Sequence, residues 1–173
     1  SNVHYLLLKL LEANNLKLDD IQVVYLPPAD ARAAFEKGAV DAWVIWDPFF
    51  AAAEQQIGAR VIANGENLVK NYQFYMADRK FAEQNPEVVK AVINELYVAA
   101  DWMMKNQDEA AKILEKPTGL DASILKTSIG RMNLGVQPIS NQVATQQQYV
   151  ADAFYNQKLI PNKINIQAAI LAK

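Results

Sequence analysis

The chain has 173 residues, of which 51% are hydrophobic and 21% charged, so it can bury a core and is not expected to be disordered. With no Cys and a single His, it cannot build a disulfide scaffold, a thiolate zinc site, a cysteine nucleophile or a multi-histidine metal site. The net charge of -2 gives no basic surface of the kind that binds nucleic acid, and no apolar stretch is long enough to cross a bilayer.

The first part of the chain alternates between helical and strand-like patterns. A Leu-rich stretch predicts a helix at 3–13, capped by Ser1 or Asn2, and shorter helices are predicted at 31–37 and 49–56. Runs of β-branched and aromatic residues predict strands at 21–26, 40–46, 59–63 and 72–77. Because apolar strands alternate with helices, we expect an α/β fold with a parallel-type sheet and flanking helices.

The last hundred residues are mainly helical in pattern. A polar, turn-like stretch at 64–71 is a candidate crossover into this part. Apolar residues near a 3.6-residue period then predict a series of helices. These are at 81–84, 86–116, 121–132 and 140–157.

Motifs for catalysis are missing from the sequence. The only His, His4, lies near the first residue, and no nucleophile elbow, phosphate loop, dinucleotide glycine pattern or metalloprotease motif is present. The adjacent carboxylates Asp19 and Asp20 fall in a turn, where solvated charges are usual. We therefore expect no enzyme, no metal site and no cofactor.

The start of the first predicted helix is a candidate anion site. A helix N-terminus presents unpaired N–H groups and the positive end of the helix dipole, which suit a sulfonate, phosphate, carboxylate or nitrate. Ser1 and Asn2 add short side-chain donors, and His4 adds a ring N–H within the first turn. The same residues also fit ordinary helix capping with His4 on the surface.

An aromatic cluster between residues 43 and 50 is a second candidate. Ligands of open parallel sheets bind outside the carboxyl ends of the strands, and Trp46 and Asp47 lie at the carboxyl end of the predicted strand 40–46. Asp30 follows strand 21–26 in the same way, as a cleft residue or as the cap of helix 31–37. Arg131 fits either an anion contact or an ion pair.

Six stretches, in order and over nearly the whole chain, resemble the aliphatic sulfonate-binding proteins. These are solute receptors of bacterial ABC importers and are related to taurine and nitrate receptors. The stretches are 1–7 (SNVHYLL), 25–31 (YLPPADA), 38–43 (GAVDAW), 46–49 (WDPF), 85–88 (NPEV) and 135–140 (GVQPIS).

The resemblance implies the type II periplasmic binding protein fold, truncated at the N-terminus, in which a ligand lies between two lobes. Residues 1–70 would be lobe two without its first strand, and residues 71–173 would be the returning C-terminal part of lobe one.

The resemblance also implies roles for the candidate residues. Ser1, Asn2 and His4 would bind the sulfonate at the helix N-terminus. Trp46 and Asp47 would line the cleft, together with Asp30.

The implied function is capture of an alkanesulfonate by closure of the two lobes and its delivery to a membrane permease, for import as a sulfur source. The implied location is the periplasm, or the outer face of a Gram-positive membrane through a lipid anchor, and no signal peptide is visible in this chain. One alternative keeps the fold with taurine, nitrate or a pyrimidine precursor as ligand. Another is a truncated fragment that self-associates as an interaction module, because exposed strand edges invite pairing.

Overall fold

The computed structural model describes residues 1–171, and all regular secondary structure in that range is helical. The α-helices are α1 (Asn2–Ala13), α2 (Pro28–Glu36), α3 (Phe49–Ile57), α4 (Arg79–Gln84), α5 (Pro86–Lys105), α6 (Gln107–Thr118), α7 (Ala122–Arg131) and α8 (Asn141–Asn156). Two short 3₁₀ helices lie at Leu18–Asp20 and Ile166–Ala169. The prediction of helices in both parts of the chain is confirmed.

Helix α2 begins earlier than the sequence predicted. Its first residue is Pro28 and its N-cap is Pro27, so the prediction that Asp30 caps this helix is wrong. Proline has a preset φ and no N–H to leave unpaired, which makes it suited to the first helical position. Asp30 lies in the first turn, where its negative charge is favourable against the helix dipole.

The long helix predicted at 86–116 is two helices that meet at Asn106. This residue leaves the helical conformation, with φ -128° and ψ 48°, and caps both α5 and α6. Its side-chain Nδ2 donates to the carbonyl of Trp102 at 2.8 Å. Such a side chain competes with the backbone for hydrogen bonds, and a 3.6-residue period does not reveal this competition.

The four predicted strands are wrong as hydrogen-bonded elements. Segments 21–26, 40–46, 59–63 and 72–77, named here the unpaired segments, contain no strand. Within residues 1–171, no backbone hydrogen bond joins any two of them. A strand has no hydrogen bonds within itself and forms only beside a neighbour, so strand-forming composition alone does not produce a sheet.

The main core lies where α7 packs between α3 and α6. On one side, Ala51 and Ala52 of α3 contact Ile124 of α7. On the other side, Ala110 and Ala111 of α6 contact Leu125 and Ile129 of α7. The alanines are small enough for the helix axes to approach closely around the branched side chains of α7.

A second contact joins the C-terminal segment to α8. The side-chain amide of Gln148 donates to the carbonyl of Ile164 at 2.7 Å, and its Oε1 accepts the N–H of Ile166 at 2.9 Å. One glutamine thus satisfies two backbone groups, as a neighbouring strand would. Helix α8 also contacts α1.

Packing crosses the predicted boundary between residues 70 and 71. Helices α3 and α1 come from the predicted lobe two, and their partners α7 and α8 come from the returning part of lobe one. The division into lobes at 1–70 and 71–173 stays a prediction.

The core contact of α7 has a measurable consequence. We expect Ile129→Ala to lower the free energy of unfolding by about 2–5 kcal/mol, because the side chain is 1% exposed and its loss leaves a cavity. Ile113→Ala, at a 58% exposed position on α6, is the control and should cost less than about 0.5 kcal/mol. Urea denaturation followed by circular dichroism measures both. Equal losses would contradict the assignment of this core.

Candidate functional site

The N-terminus of α1 presents hydrogen-bond donors that the described residues leave without partners. Ser1 is the N-cap, but its side chain makes no capping hydrogen bond. Its carbonyl accepts the N–H groups of His4 and Tyr5, at 3.1 and 3.4 Å. The N–H groups of Asn2 and Val3 have no backbone acceptor within residues 1–171. The Ser1 hydroxyl and the N–H groups of Asn2 and Val3 can therefore all donate hydrogen bonds to an anion.

Asn2 connects this terminus to a distant loop. Its Nδ2 donates to Oδ1 of Asn71 at 2.8 Å, and the same oxygen accepts from Gln73 at 3.2 Å. The hydrogen bond holds the crossover loop against the start of α1. Asn71 was not singled out from the sequence, because no pattern in a polar loop distinguishes one asparagine from the others.

His4 is packed between aromatic rings. Its ring centroid lies 5.7 Å from that of Tyr25 and 5.6 Å from that of Phe154, the latter edge-on. Its Nε2 is buried and has no hydrogen-bond partner among the described residues. Burial, and then the positive charge of the N-terminal amino group, hold the pKa of His4 below its ordinary value of 6.5. The imidazole is therefore neutral at neutral pH and offers one N–H, not a charge.

Trp46 and Asp47 occupy the turn that leads into α3. The Trp46 ring meets the Phe49 ring at 76°, with centroids 6.4 Å apart, and its indole remains partly open to solvent. Asp47 Oδ1 accepts the N–H of Ala51 at 3.0 Å, which satisfies one of the first amides of the helix. The carboxylate thus holds the turn that presents Trp46.

Arg131, at the end of α7, forms ion pairs that hold this turn in place. Its guanidinium donates to Asp47 Oδ1 at 3.3 Å and to Glu54 Oε2 on α3. Its Cζ lies 4.3 Å from the centroid of the Phe50 ring, a cation–π distance. Of the two roles the sequence left open for Arg131, the ion pair is the one formed. The partners were not predictable, because Asp47 and Arg131 are 84 residues apart.

The candidate residues form two groups. Ser1, Asn2 and His4 share the first turn of α1, whereas Trp46 and Asp47 share the turn before α3. No hydrogen bond or ring contact between the groups occurs in residues 1–171. Asp30 is exposed on α2, and its side chain makes no hydrogen bond with either group within residues 1–171.

A groove in the described part of the chain lies elsewhere. It has a volume of about 640 Å³ between α1 and α8, and no candidate residue lines it. Its walls mix charged and apolar side chains, for example Lys9, Leu16 and Tyr149.

Residues 1–171 contain no group of three or more His, Asp or Glu side chains placed to hold a metal ion. Among the helices described, none combines the length and the apolar character needed to cross a membrane.

The lowered pKa of His4 predicts a pH-dependent stability. The unfolded chain binds a proton at His4 near pH 6.5, whereas the folded chain binds it only at lower pH. The unfolded state therefore holds more protons just below that value, and the stability contributed by His4 is lost as the pH falls. We expect the unfolding free energy of wild type minus that of His4→Phe to fall from about pH 7.5 to about pH 5, whichever protein is the more stable at the higher pH. Urea denaturation at several pH values measures it; a difference that is constant or grows towards acid contradicts the expectation.

The two ion pairs of Arg131 predict that two substitutions in α7 lower the free energy of unfolding by different amounts. We expect Arg131→Met to cost about 1–3 kcal/mol of unfolding free energy, because it leaves the half-buried Asp47 and Glu54 carboxylates without their cation. Lys126→Met removes an ion pair with Asp108 in which both side chains are exposed, and should cost no more than about 1 kcal/mol. Urea denaturation compares the two. Equal losses of unfolding free energy would show that the ion pairs of Arg131 stabilise the chain no more than an exposed ion pair does.

The chain was compared with protein-family models and with curated proteins. The model of the NMT1-like family matches residues 1–115. Over 172 residues the chain is 40% identical to a putative aliphatic sulfonates-binding protein of Escherichia coli, covering 98% of this chain and 54% of that protein. It is 29% identical over 112 residues to the taurine-binding periplasmic protein of the same organism, covering 62% of this chain and 34% of that protein. The chain thus spans about half the length of the sulfonates-binding relative.

Solved structures match as well. The crystal structure of the periplasmic aliphatic sulphonate binding protein SsuA from Escherichia coli superposes with a TM-score of 0.93 at 39% identity, over 99% of this chain and 56% of that one. The alkanesulfonate-binding protein SsuA from Xanthomonas axonopodis, bound to MOPS, gives 0.90 at 37% identity, over 99% of this chain and 60% of that one. The type II periplasmic binding protein fold expected from the sequence is confirmed, and the chain belongs to the NMT1-like family.

Proposed function

We propose that this chain is part of the solute-binding receptor of an ABC importer that captures aliphatic sulfonates. The observation that carries the proposal is the N-terminus of α1, where the Ser1 hydroxyl and the amides of Asn2 and Val3 are available together. This helix end occurs in a chain that is 40% identical to a putative aliphatic sulfonates-binding protein.

The chemistry of a sulfonate suits such a helix end. Its single negative charge is spread over three oxygens, and three separate donors can each take one of them. The helix dipole adds a positive potential without a cationic side chain that would bind competing anions tightly. Donors left unpaired by a poorer ligand are costly, and this cost supplies the selectivity.

The second group of residues would serve the alkyl part of the ligand. Trp46 offers an exposed aromatic surface for apolar contact. Asp47 alone would repel an anion, but its pairing with Arg131, which also pairs with Glu54, offsets part of the negative charge. His4 stays neutral, so its role is to donate one hydrogen bond and to position the first turn through its ring contacts.

Capture would follow from closure of two lobes, with residues 1–70 in lobe two and residues 71–173 in lobe one. The loaded receptor would then dock on a membrane permease at the periplasmic face, and the sulfonate would enter as a sulfur source. The relatives are named as binding proteins, and we propose that this chain likewise performs no covalent chemistry.

Taurine is a second candidate ligand, favoured by the match to the taurine-binding periplasmic protein. Taurine carries an ammonium group besides its sulfonate and would need a carboxylate nearby. Asp30 is exposed and could meet it. Loss of taurine binding in Asp30→Asn, with retained binding of a simple alkanesulfonate, would identify this preference.

Calorimetry on a chimeric receptor tests the proposal. Residues 1–173 replace the aligned part of the Escherichia coli sulfonates-binding relative, and MOPS, nitrate and an alkyl carboxylate are titrated into the folded product. We expect MOPS to bind and the other two anions to bind at least about tenfold more weakly. Clear binding of nitrate or carboxylate without MOPS would overturn the sulfonate assignment.

Matched variants of the chimera test the residues. We expect Ser1→Ala to weaken MOPS binding about tenfold, because it removes one charge-assisted hydrogen bond. Trp46→Ala should also weaken it about tenfold, whereas Trp102→Ala, at an equally 38% exposed tryptophan on α5, should leave it unchanged. Ser123→Ala, which removes a serine hydroxyl from α7, is the control for Ser1→Ala and should leave MOPS binding unchanged. Equal effects of the two tryptophan variants would contradict the assignment of Trp46 to the cleft.

A further inference from the structure

The crossover loop at 64–71 contains an asparagine that is followed directly by a glycine. Asn64 and Gly65 are the one Asn-Gly pair in the sequence of 173 residues. A glycine leaves its backbone nitrogen uncrowded, so that this nitrogen can approach the side-chain amide of the preceding asparagine. The loop holds both groups in a way that favours a reaction between them.

The side-chain amide of Asn64 is held by the backbone of its own loop. Its Oδ1 accepts the N–H of Glu66 at 3.0 Å. This hydrogen bond is that of an Asx turn, and it folds the side chain over the peptide group that contains the nitrogen of Gly65. A donor on this oxygen also stabilises the negative charge that the oxygen acquires when a nucleophile attacks Cγ.

The backbone nitrogen of Gly65 is not engaged elsewhere. Within residues 1–171 its N–H donates to no acceptor, whereas its carbonyl accepts the N–H groups of Leu68 and Val69, each at 3.1 Å. The turn is therefore ordered by hydrogen bonds that leave this nitrogen available as a nucleophile.

Packing explains why a glycine stands at this position. A Cβ at residue 65 would lie 3.1 Å from Cγ2 of Val69 and 3.9 Å from Cδ1 of Leu6 in α1. The first distance is shorter than an ordinary contact between carbon atoms, so a larger residue would force the loop to shift. The loop thus needs a glycine at 65 and a short side-chain acceptor at 64, and these two needs together create the reactive pair.

We propose that Asn64 is a site of spontaneous deamidation, which proceeds through a cyclic imide formed with the nitrogen of Gly65. The Gly65 nitrogen gives its proton to solvent and forms a bond to Cγ of Asn64. The bond between Cγ and Nδ2 breaks, and this nitrogen takes a proton from solvent and leaves as ammonia. Water then opens the imide at either of its two carbonyl carbons. The reaction needs no ligand, so its test is independent of the sulfonate assignment.

The two ways of opening the imide give different products. Attack of water at Cγ restores the peptide bond and leaves an aspartate side chain, which can still accept the N–H of Glu66. Attack at the backbone carbonyl leaves an isoaspartate, in which the main chain runs through the side-chain carbons. Either product adds one negative charge, so the net charge of the chain changes from -2 to -3.

Asn67, in the same loop, differs in both respects and serves as an internal control. The residue after it is Leu68, whose side chain crowds the backbone nitrogen. The N–H of Leu68 is also committed, because it donates to the carbonyl of Gly65 at 3.1 Å. The same loop therefore holds one asparagine next to an available nucleophile and one next to a blocked nucleophile.

Peptide mapping by mass spectrometry tests the proposal. The chain and the chimeric receptor are incubated in the folded state at mildly alkaline pH and then digested with trypsin. Cleavage after Arg60 and Lys70 releases one peptide that contains both Asn64 and Asn67. A synthetic peptide with the sequence of residues 61–70 is incubated in parallel as the reference for the unfolded state.

We expect Asn64 to lose its amide in both folded proteins while Asn67 keeps its own. The rate should lie within about tenfold of that in the synthetic peptide, because exposed loops open locally at little cost in free energy. A slower loss in either folded protein, or equal losses at Asn64 and Asn67, would overturn the proposal. The comparison with the chimera matters because a reaction in the chain alone would also overturn it.

Two variants separate the roles of the amide and of the glycine. Asn64→Ser keeps a side-chain oxygen for the N–H of Glu66 and removes the amide, so the tryptic peptide should acquire no added charge. Gly65→Ala keeps the amide and should slow its loss at least about twofold, because a Cβ restricts the backbone rotation that brings the nitrogen onto Cγ. Circular dichroism confirms that both variants keep their helices. An acidic form of the peptide in Asn64→Ser, or an unchanged rate in Gly65→Ala, would contradict the proposed reaction.

Discussion

The packing of α7 against α3 is the contact on which the turn with Trp46 and Asp47 depends. Ile124 lies against Ala51 and Ala52, and the same helix ends in Arg131, which reaches Asp47 and Glu54. The apolar contact sets the distance between the helices, and the ion pairs set the orientation of the turn. If α7 moved, the turn that carries Trp46 would lose its support.

The charges and dipoles of the two candidate groups both bear on anion binding. At the start of α1 the unpaired backbone amides and the helix dipole supply positive potential, and His4 adds no charge because burial lowers its pKa. At the turn before α3 the single positive charge of Arg131 offsets part of the negative charge of Asp47 and Glu54. The neutral donors at the start of α1 and the aromatic surface of Trp46 suit an anion with an apolar tail.

Helices could be predicted from the sequence because their hydrogen bonds are local. The apolar period and Pro86 at a first helical position mark helices within a few residues of their observed bounds, whereas α2 begins at Pro28 and not at the predicted residue 31. The break at Asn106 was missed, since a side-chain hydrogen bond to a backbone carbonyl leaves no trace in the apolar pattern.

The strands and the site geometry depend on distant partners, and here the sequence was less informative. Composition identified the unpaired segments as strand-forming but could not supply the neighbours that a ladder needs. Ser1, Asn2 and Trp46 were predicted as ligand-binding residues from motifs, and they stay predictions. Asn71 and Glu54 were not singled out, because their hydrogen-bond partners lie far along the chain. Patterns in one sequence report local preference, and long-range pairing needs the structure.

A crystal structure of the chimeric receptor with MOPS tests the central claim most directly. We expect the sulfonate oxygens within hydrogen-bond distance of the Ser1 hydroxyl and the amides of Asn2 and Val3, with the propyl group towards Trp46. A sulfonate bound elsewhere, with the N-terminus of α1 left to water, would contradict it.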